Sequence, residues 1–186
     1  MVEINEKVNV IINEISHVFS HSDFSNISEF IDKILKSKKI VCIGAGRVGY
    51  ATRGFAMRLK HLGLDSYMLG DSNVPNISEN DLLLVSSGSG ETQTIFDVVE
   101  IAKKNRAVVC LITGNEESRM AKLADVVLLL KAPSKIKDVE GLISVQPMTS
   151  LNEQCLGLFF DAVVLLLMEK LNESHETMWE RHSNLE

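Results

Sequence analysis

The stretch Leu82-Leu83-Leu84-Val85-Ser86-Ser87-Gly88-Ser89-Gly90-Glu91-Thr92 passes from an unbroken apolar run into a serine and glycine turn and on into helical periodicity. Four large apolar residues without polar alternation are the pattern of a strand covered on both faces, as in a parallel sheet. Working outward, Ile40-Val41-Cys42-Ile43 ends in glycines in the same way. Ala107 to Ile112 and Val126 to Leu130 repeat the pattern, and Asp65 to Leu69 is a weaker version. Helical stretches separate these runs: Arg47 to Leu62, Thr92 to Lys104 and a short one from Glu117 to Leu123. Strands alternating with helices through short loops imply an α/β fold, a doubly wound five-stranded parallel sheet with helices on both faces. Ligands of such sheets bind beyond the carboxyl ends of the strands, where the strand order reverses. Chemistry is therefore expected in the loops that follow the strands.

Two helices precede the sheet, Val2 to Phe19 and Ile27 to Leu35, the second behind Asn26 and Glu29. After it, Lys131 to Met148 carries Pro133, Gly141 and Pro147 and reads as a long irregular segment, of a length that suggests a functional loop. Leu151 to Leu171 is the most apolar helix of the chain. A helix apolar nearly all round must be buried all round, so part of its surface is expected against another copy of the chain. The 186 residues are read as one domain: helices over 1–37, the sheet core over 38–130 and the long helix over 150–172.

Nineteen basic against 25 acidic residues give a net charge of −6, which argues against a surface built for nucleic acid. Cys42, Cys110 and Cys155 have neither CxxC nor Cys/His spacing, so no metal site and a reducing compartment are expected. The start lacks a basic segment followed by an apolar one, and no apolar run approaches the ~20 residues of a membrane span. A cytoplasmic protein without membrane contact is the expectation.

The first strand runs into Gly44-Ala45-Gly46-Arg47-Val48-Gly49, a literal GxGxxG between strand and helix. Glycine lets the backbone approach an anion, and the helix N-terminus offers free N–H groups. A dinucleotide fits the position, because Asp71 follows the second strand about where a ribose-binding acid stands. Arg47 inside the loop fits a sugar phosphate better. The third strand weighs on the same side: Ser86, Ser87, Gly88, Ser89 and Thr92 bring hydroxyls and successive backbone amides to one helix N-terminus, a phosphate cradle. A plain turn with Thr92 as helix cap is the alternative, and it uses fewer hydroxyls than are present.

With these loops in hand, the sequence resembles the sugar isomerase (SIS) family. It is similar in particular to the 6-phospho-3-hexuloisomerases, through Ala56-Met57-Arg58-Leu59-Lys60-His61-Leu62-Gly63, Gln146-Pro147-Met148-Thr149-Ser150-Leu151-Asn152-Glu153-Gln154 and the ending Arg181-His182-Ser183-Asn184-Leu185-Glu186. Four positions depart from that family's pattern. Val48 stands for Ser, Thr149 for Gly and Asn152 for an aromatic, and the segment before Pro75 reads Asp71-Ser72-Asn73-Val74.

The resemblance implies a phosphosugar substrate, no cofactor, and tetramers whose pockets are lined by more than one chain. It implies interconversion of hex-3-ulose 6-phosphate and fructose 6-phosphate by proton transfer through an enediol. Glu153 would be the base, although Ser150-Leu151-Asn152-Glu153 is also a capping-box sequence. His61 and His182 would serve proton transfer at the sugar hydroxyls or ring opening. Each also has a structural role open to it, His61 at a helix C-terminus and His182 in a solvated tail. Arg47 would stabilise the enediolate or a sugar oxygen. His17, His21 and His175 are expected on the surface. A phosphosugar-binding protein without catalysis is the alternative of the same fold.

Overall fold

The computed structural model describes residues 2–134, 139 and 141–185; part of the expected loop, 135–138 and 140, lies outside them. The elements follow in the order α1 (Val2–His21), α2 (Ile27–Lys36), β1 (Ile40–Gly44), α3 (Gly46–His61), β2 (Ser66–Met68) and β3 (Leu82–Ser86). They continue with α4 (Gln93–Lys104), β4 (Val108–Thr113), α5 (Arg119–Leu123), β5 (Val126–Leu129), α6 (Ser150–Leu171) and α7 (His175–Trp179). The strands lie in the order β2-β1-β3-β4-β5, and every pairing is parallel. The five-stranded sheet expected from the sequence is thus present, and its order reverses between β1 and β3.

Strand alternation sorts the core into two layers. Ile40, Cys42, Leu82, Leu84, Cys110 and Ile112 face α1, α2, α3 and α6. Their neighbours Val41, Ile43, Leu83, Val85, Val109 and Leu111 face α4 and α5. Each strand therefore needs apolar side chains at every position, which is why the pattern is continuous. On the larger side Phe55 of α3 stacks on Phe160 of α6, with ring centroids 4.2 Å apart and planes 8° from parallel.

The α6 helix has the length and composition to cross a membrane, yet half of its most apolar window is buried in the fold. Its Leu158, Leu165 and Leu166 remain exposed. All three cysteines are buried thiols, and burial pushes each up to about 12. The one element without a sequence expectation is α7. Ser174 opens it, accepting from the Thr177 amide while the Thr177 hydroxyl accepts from the Ser174 amide.

Candidate active site

Register places Gly44 at the end of β1 beside Ser86 at the end of β3, so the two glycine loops leave the sheet side by side at the order reversal. A cavity of about 460 Å³ opens there. The first loop, the serine loop and the start of α6 wall it, and three helices begin at its edge. The residues preceding them, Ala45 for α3, Thr92 for α4 and Thr149 for α6, make no side-chain capping bond. By contrast α5 and α7 are closed by the hydroxyls of Ser118 and Ser174. Three helix N-termini without side-chain caps at one cavity concentrate positive partial charge and free amides there, the condition for holding an anion.

The turn into α3 depends on close backbone approach. A Cβ on Gly49 would lie 2.5 Å from the Gly44 carbonyl oxygen, and Gly46 has φ +58°. In the serine loop, Ser87 Oγ accepts from the Gly90 amide at 3.1 Å and Ser89 Oγ from the Glu91 amide at 3.2 Å. Both hydroxyls act as acceptors in these bonds, so each proton remains to be donated to a ligand. The amides of Gly88 and Ser89 find no acceptor among the described residues. Ser86 is fully buried, and its hydroxyl carries no hydrogen bond.

Glu153 sits in the first turn of α6. Its Oε1 accepts from the Thr149 hydroxyl at 2.8 Å, and its Oε2 lies 3.1 Å from an Arg47 guanidinium nitrogen. That contact is an ion pair rather than an aligned hydrogen bond, and the buried Oε2 has no hydrogen-bond partner. Arg47 also donates to Ser150 Oγ at 3.0 Å, so the starts of α3 and α6 are joined across the cavity. The capping box allowed by Ser150 to Glu153 does not form. Thr149, not Ser150, is the cap position, and the Ser150 amide donates to the Pro147 carbonyl. Glu153 is thereby left without the structural role that its spacing offered.

The two histidines lie elsewhere. His61 ends α3, about 20 Å along the helix from Arg47 at 1.5 Å per residue. Its ring and that of His182 are 5.3 Å apart, beside a separate cavity of about 280 Å³ walled by Arg58, Met168, His175, Met178 and Trp179. Within one chain His61 and His182 do not meet Glu153, so one chain does not bring the three expected catalytic residues together. The α3 helix that carries His61 starts at the cavity and runs away from it. Burial first, then Arg58 and His182, hold the His61 imidazole below its ordinary value. Asp71, the ribose-binding alternative, instead pairs with Arg53 at 2.8 Å in an exposed contact.

Asn152, Val48 and Thr149, three of the positions that depart from the family pattern, line the cavity; Asn152 reaches the serine loop. It is 3 % exposed, and its carboxamide packs so closely on Gly88 that a Cβ there would meet it at 3.1 Å. Pro147 and Met148 also wall the cavity. Among the described residues no cluster of His, Cys, Asp and Glu has the makings of a metal site.

Fold and site define a doubly wound α/β domain with a serine loop, three helix N-termini without side-chain caps and a carboxylate at the sheet's switch point. The family model described as the SIS domain matches residues 33–157, and the chain belongs to that family. It is 38 % identical to the 3-hexulose-6-phosphate isomerase of Bacillus subtilis (strain 168), over 97 % of this chain and 98 % of that one. It is 36 % identical to the enzyme of the same name from Mycobacterium gastri, over 99 % and 92 %. A solved Methanococcus jannaschii protein, for which a function of 3-hexulose-6-phosphate isomerase has been inferred, is similar with a TM-score of 0.82. The identity is 31 %, and the match covers 97 % of this chain and 99 % of that one.

Proposed function

We propose that this protein is a cofactor-free isomerase converting hex-3-ulose 6-phosphate into fructose 6-phosphate. Relatives named for that reaction, matched over nearly the whole chain, support the assignment. The observation that carries the substrate class is the meeting of three uncapped helix N-termini with the serine loop. Amides and hydroxyls bind a phosphate dianion there without a metal. The sugar then extends toward the start of α6. Glu153 takes the proton from C2, next to the C3 carbonyl, giving a 2,3-enediol. Return of the proton to C3, with the O2 hydroxyl proton lost to form the new carbonyl and O3 protonated, completes the exchange. Arg47, already beside the carboxylate, stabilises the negative oxygen of the enediolate.

In this scheme His61 and His182 act on the sugar from another copy of the chain. A homotetramer with pockets near its interfaces is the assembly proposed. Exposed Leu158 and Leu165 on α6, with Ile4, Val8 and Ile12 on α1, offer apolar surface for it. A cytoplasmic location follows for an enzyme of free sugar phosphates that keeps three thiols. A second function, sugar-phosphate sensing without turnover, is favoured by one contact, the Thr149 hydroxyl that occupies a Glu153 oxygen.

The test is a coupled assay on hex-3-ulose 6-phosphate with chelator present, beside a thermal-shift titration with fructose 6-phosphate. Turnover with stabilisation is expected. Stabilisation without turnover makes the protein a sensor, and the absence of both overturns the phosphosugar assignment.

A further inference from the structure

We propose that Glu14 of α1 is a positioning residue for the Glu153 end of the site, acting through the strap Ser144-Val145-Gln146. This deepens the isomerase function proposed above and rests on it. Glu14 is only 7 % exposed, although α1 is otherwise largely solvated on its outer side. Its carboxylate takes three donors from residues 130 to 132 positions later. Oε1 accepts from the Val145 amide at 2.8 Å, and Oε2 accepts from the Ser144 hydroxyl at 2.7 Å and the Gln146 carboxamide at 2.9 Å. Burial by itself would raise the carboxyl; the bonds from Gln146, Val145 and Ser144 outweigh it and hold the group below its ordinary value. A buried carboxylate with three donors is a fixed point, because each donor would be left unpaired if the strap moved away.

What the strap carries gives the fixed point a function. The chain runs from Gln146 directly into Pro147 and Met148 of the cavity wall, then into Thr149, whose hydroxyl holds Glu153. Met148 has φ +59°, a left-handed conformation costing an unbranched residue about 1 kcal/mol. Such a conformation persists only when its surroundings impose it. Met148 itself is 88 % exposed, so its own side chain supplies little of that constraint. Its flanks supply it: Glu14 holds Ser144 to Gln146 on one side, and α6 begins at Ser150 on the other. The serine loop of the phosphate cradle, by contrast, hangs from β3 and α4 and has no hydrogen bond to Glu14. Loosening the strap should therefore disturb the base without disturbing phosphate binding.

The experiment compares Glu14→Gln, Ser144→Ala and the exchange Glu14→Gln/Gln146→Glu with the unaltered protein. Glu14→Gln sets an amide donor against the strap's donors. It is expected to lower kcat about tenfold or more, given that ~1 Å of misplacement can cost 10²-fold. Fructose 6-phosphate affinity by calorimetry should stay within about twofold. Ser144→Ala should lower kcat in the same direction but less. The exchange, which restores one donor–acceptor pair with its polarity reversed, should recover much of the loss. Hydrogen exchange at the Val145 and Glu153 amides should quicken in Glu14→Gln and slow again in the exchange variant. Unchanged kcat in Glu14→Gln, or loss of kcat and affinity together in proportion to melting temperature, overturns the proposal. If the unaltered protein neither binds nor turns over sugar phosphate, the isomerase function fails. The exchange rates of the two amides still decide whether Glu14 holds the start of α6.

Discussion

Replacing Glu153 by Gln removes the proposed base with the least disturbance to its surroundings. The amide oxygen can take over the Thr149 hydroxyl bond at Oε1, so the first turn of α6 keeps that tie. What is lost is the pairing of Oε2 with Arg47. Arg47 is 61 % exposed along its side chain, and an ion pair open to water on one side contributes about 0–1 kcal/mol. A loss of that size lowers the melting temperature of a chain this long by at most about 2–4 °C. The chemical effect is of another order. General base catalysis contributes about 10²–10⁴-fold, which is ~3–5 kcal/mol of barrier. The coupled assay on hex-3-ulose 6-phosphate should therefore show kcat reduced at least a hundredfold, with fructose 6-phosphate binding by calorimetry nearly unchanged. A variant keeping more than about a tenth of the rate would show that Glu153 moves no proton, and the proposed route through the enediol would have no base.

Two further outcomes follow from the geometry. Gly49→Ala drives a Cβ to 2.5 Å from the Gly44 carbonyl oxygen, with the Gly44 carbonyl carbon at 3.1 Å. Neither neighbour is a movable side chain, so about 2–3 kcal/mol should be lost, while Gly54→Ala, in open space within α3, should gain about 0.5–1 kcal/mol; urea unfolding of both variants measures the difference. His61, held below its ordinary imidazole value first by burial and then by Arg58 and His182, binds its proton more weakly folded than unfolded. The stability it contributes is present above the unfolded value of about 6.5 and is lost as pH falls toward the folded one. The unaltered protein should thus lose stability from pH 6.5 to 5 faster than His61→Gln, and parallel curves for the two would remove this account of His61.

Why the sheet could be read from the chain, and the site only in part, has a physical cause. Runs such as Leu82 to Val85 are apolar at every position because helices cover both faces, and burial of that kind leaves a local mark. The two loops at the cavity are legible for the same reason: Gly44 to Gly49 and Ser86 to Thr92 are each contiguous, and the turn, the amides and the hydroxyls all come from one short stretch. Contacts between distant segments leave no such mark, and the site is completed by them. Ser150 to Glu153 spells a capping box, yet Arg47 of another helix takes the Ser150 hydroxyl and faces the carboxylate, so long-range pairing overrode a local motif. The histidines show the opposite case. His61 and His182 do come together, but the direction of α3 sets them at the far end from Arg47, and spacing in the sequence does not record which end of a helix faces the ligand.

Glu14 did leave a trace. It stands three residues after Ile11 and four before Val18, on the stripe that α1 turns inward, and a carboxylate on a buried stripe needs donors from somewhere. Periodicity could therefore have singled out the residue but not its partners, because the donors arrive from a strap more than a hundred residues later. That separation is itself informative about the site. The serine loop is held by short-range turns at the end of β3, whereas the Glu153 side of the cavity depends on α1, the strap and α6 meeting correctly. Substitutions in α1 should then tune the chemical step while leaving phosphate recognition alone, a division of labour that follows from which contacts are local and which are not.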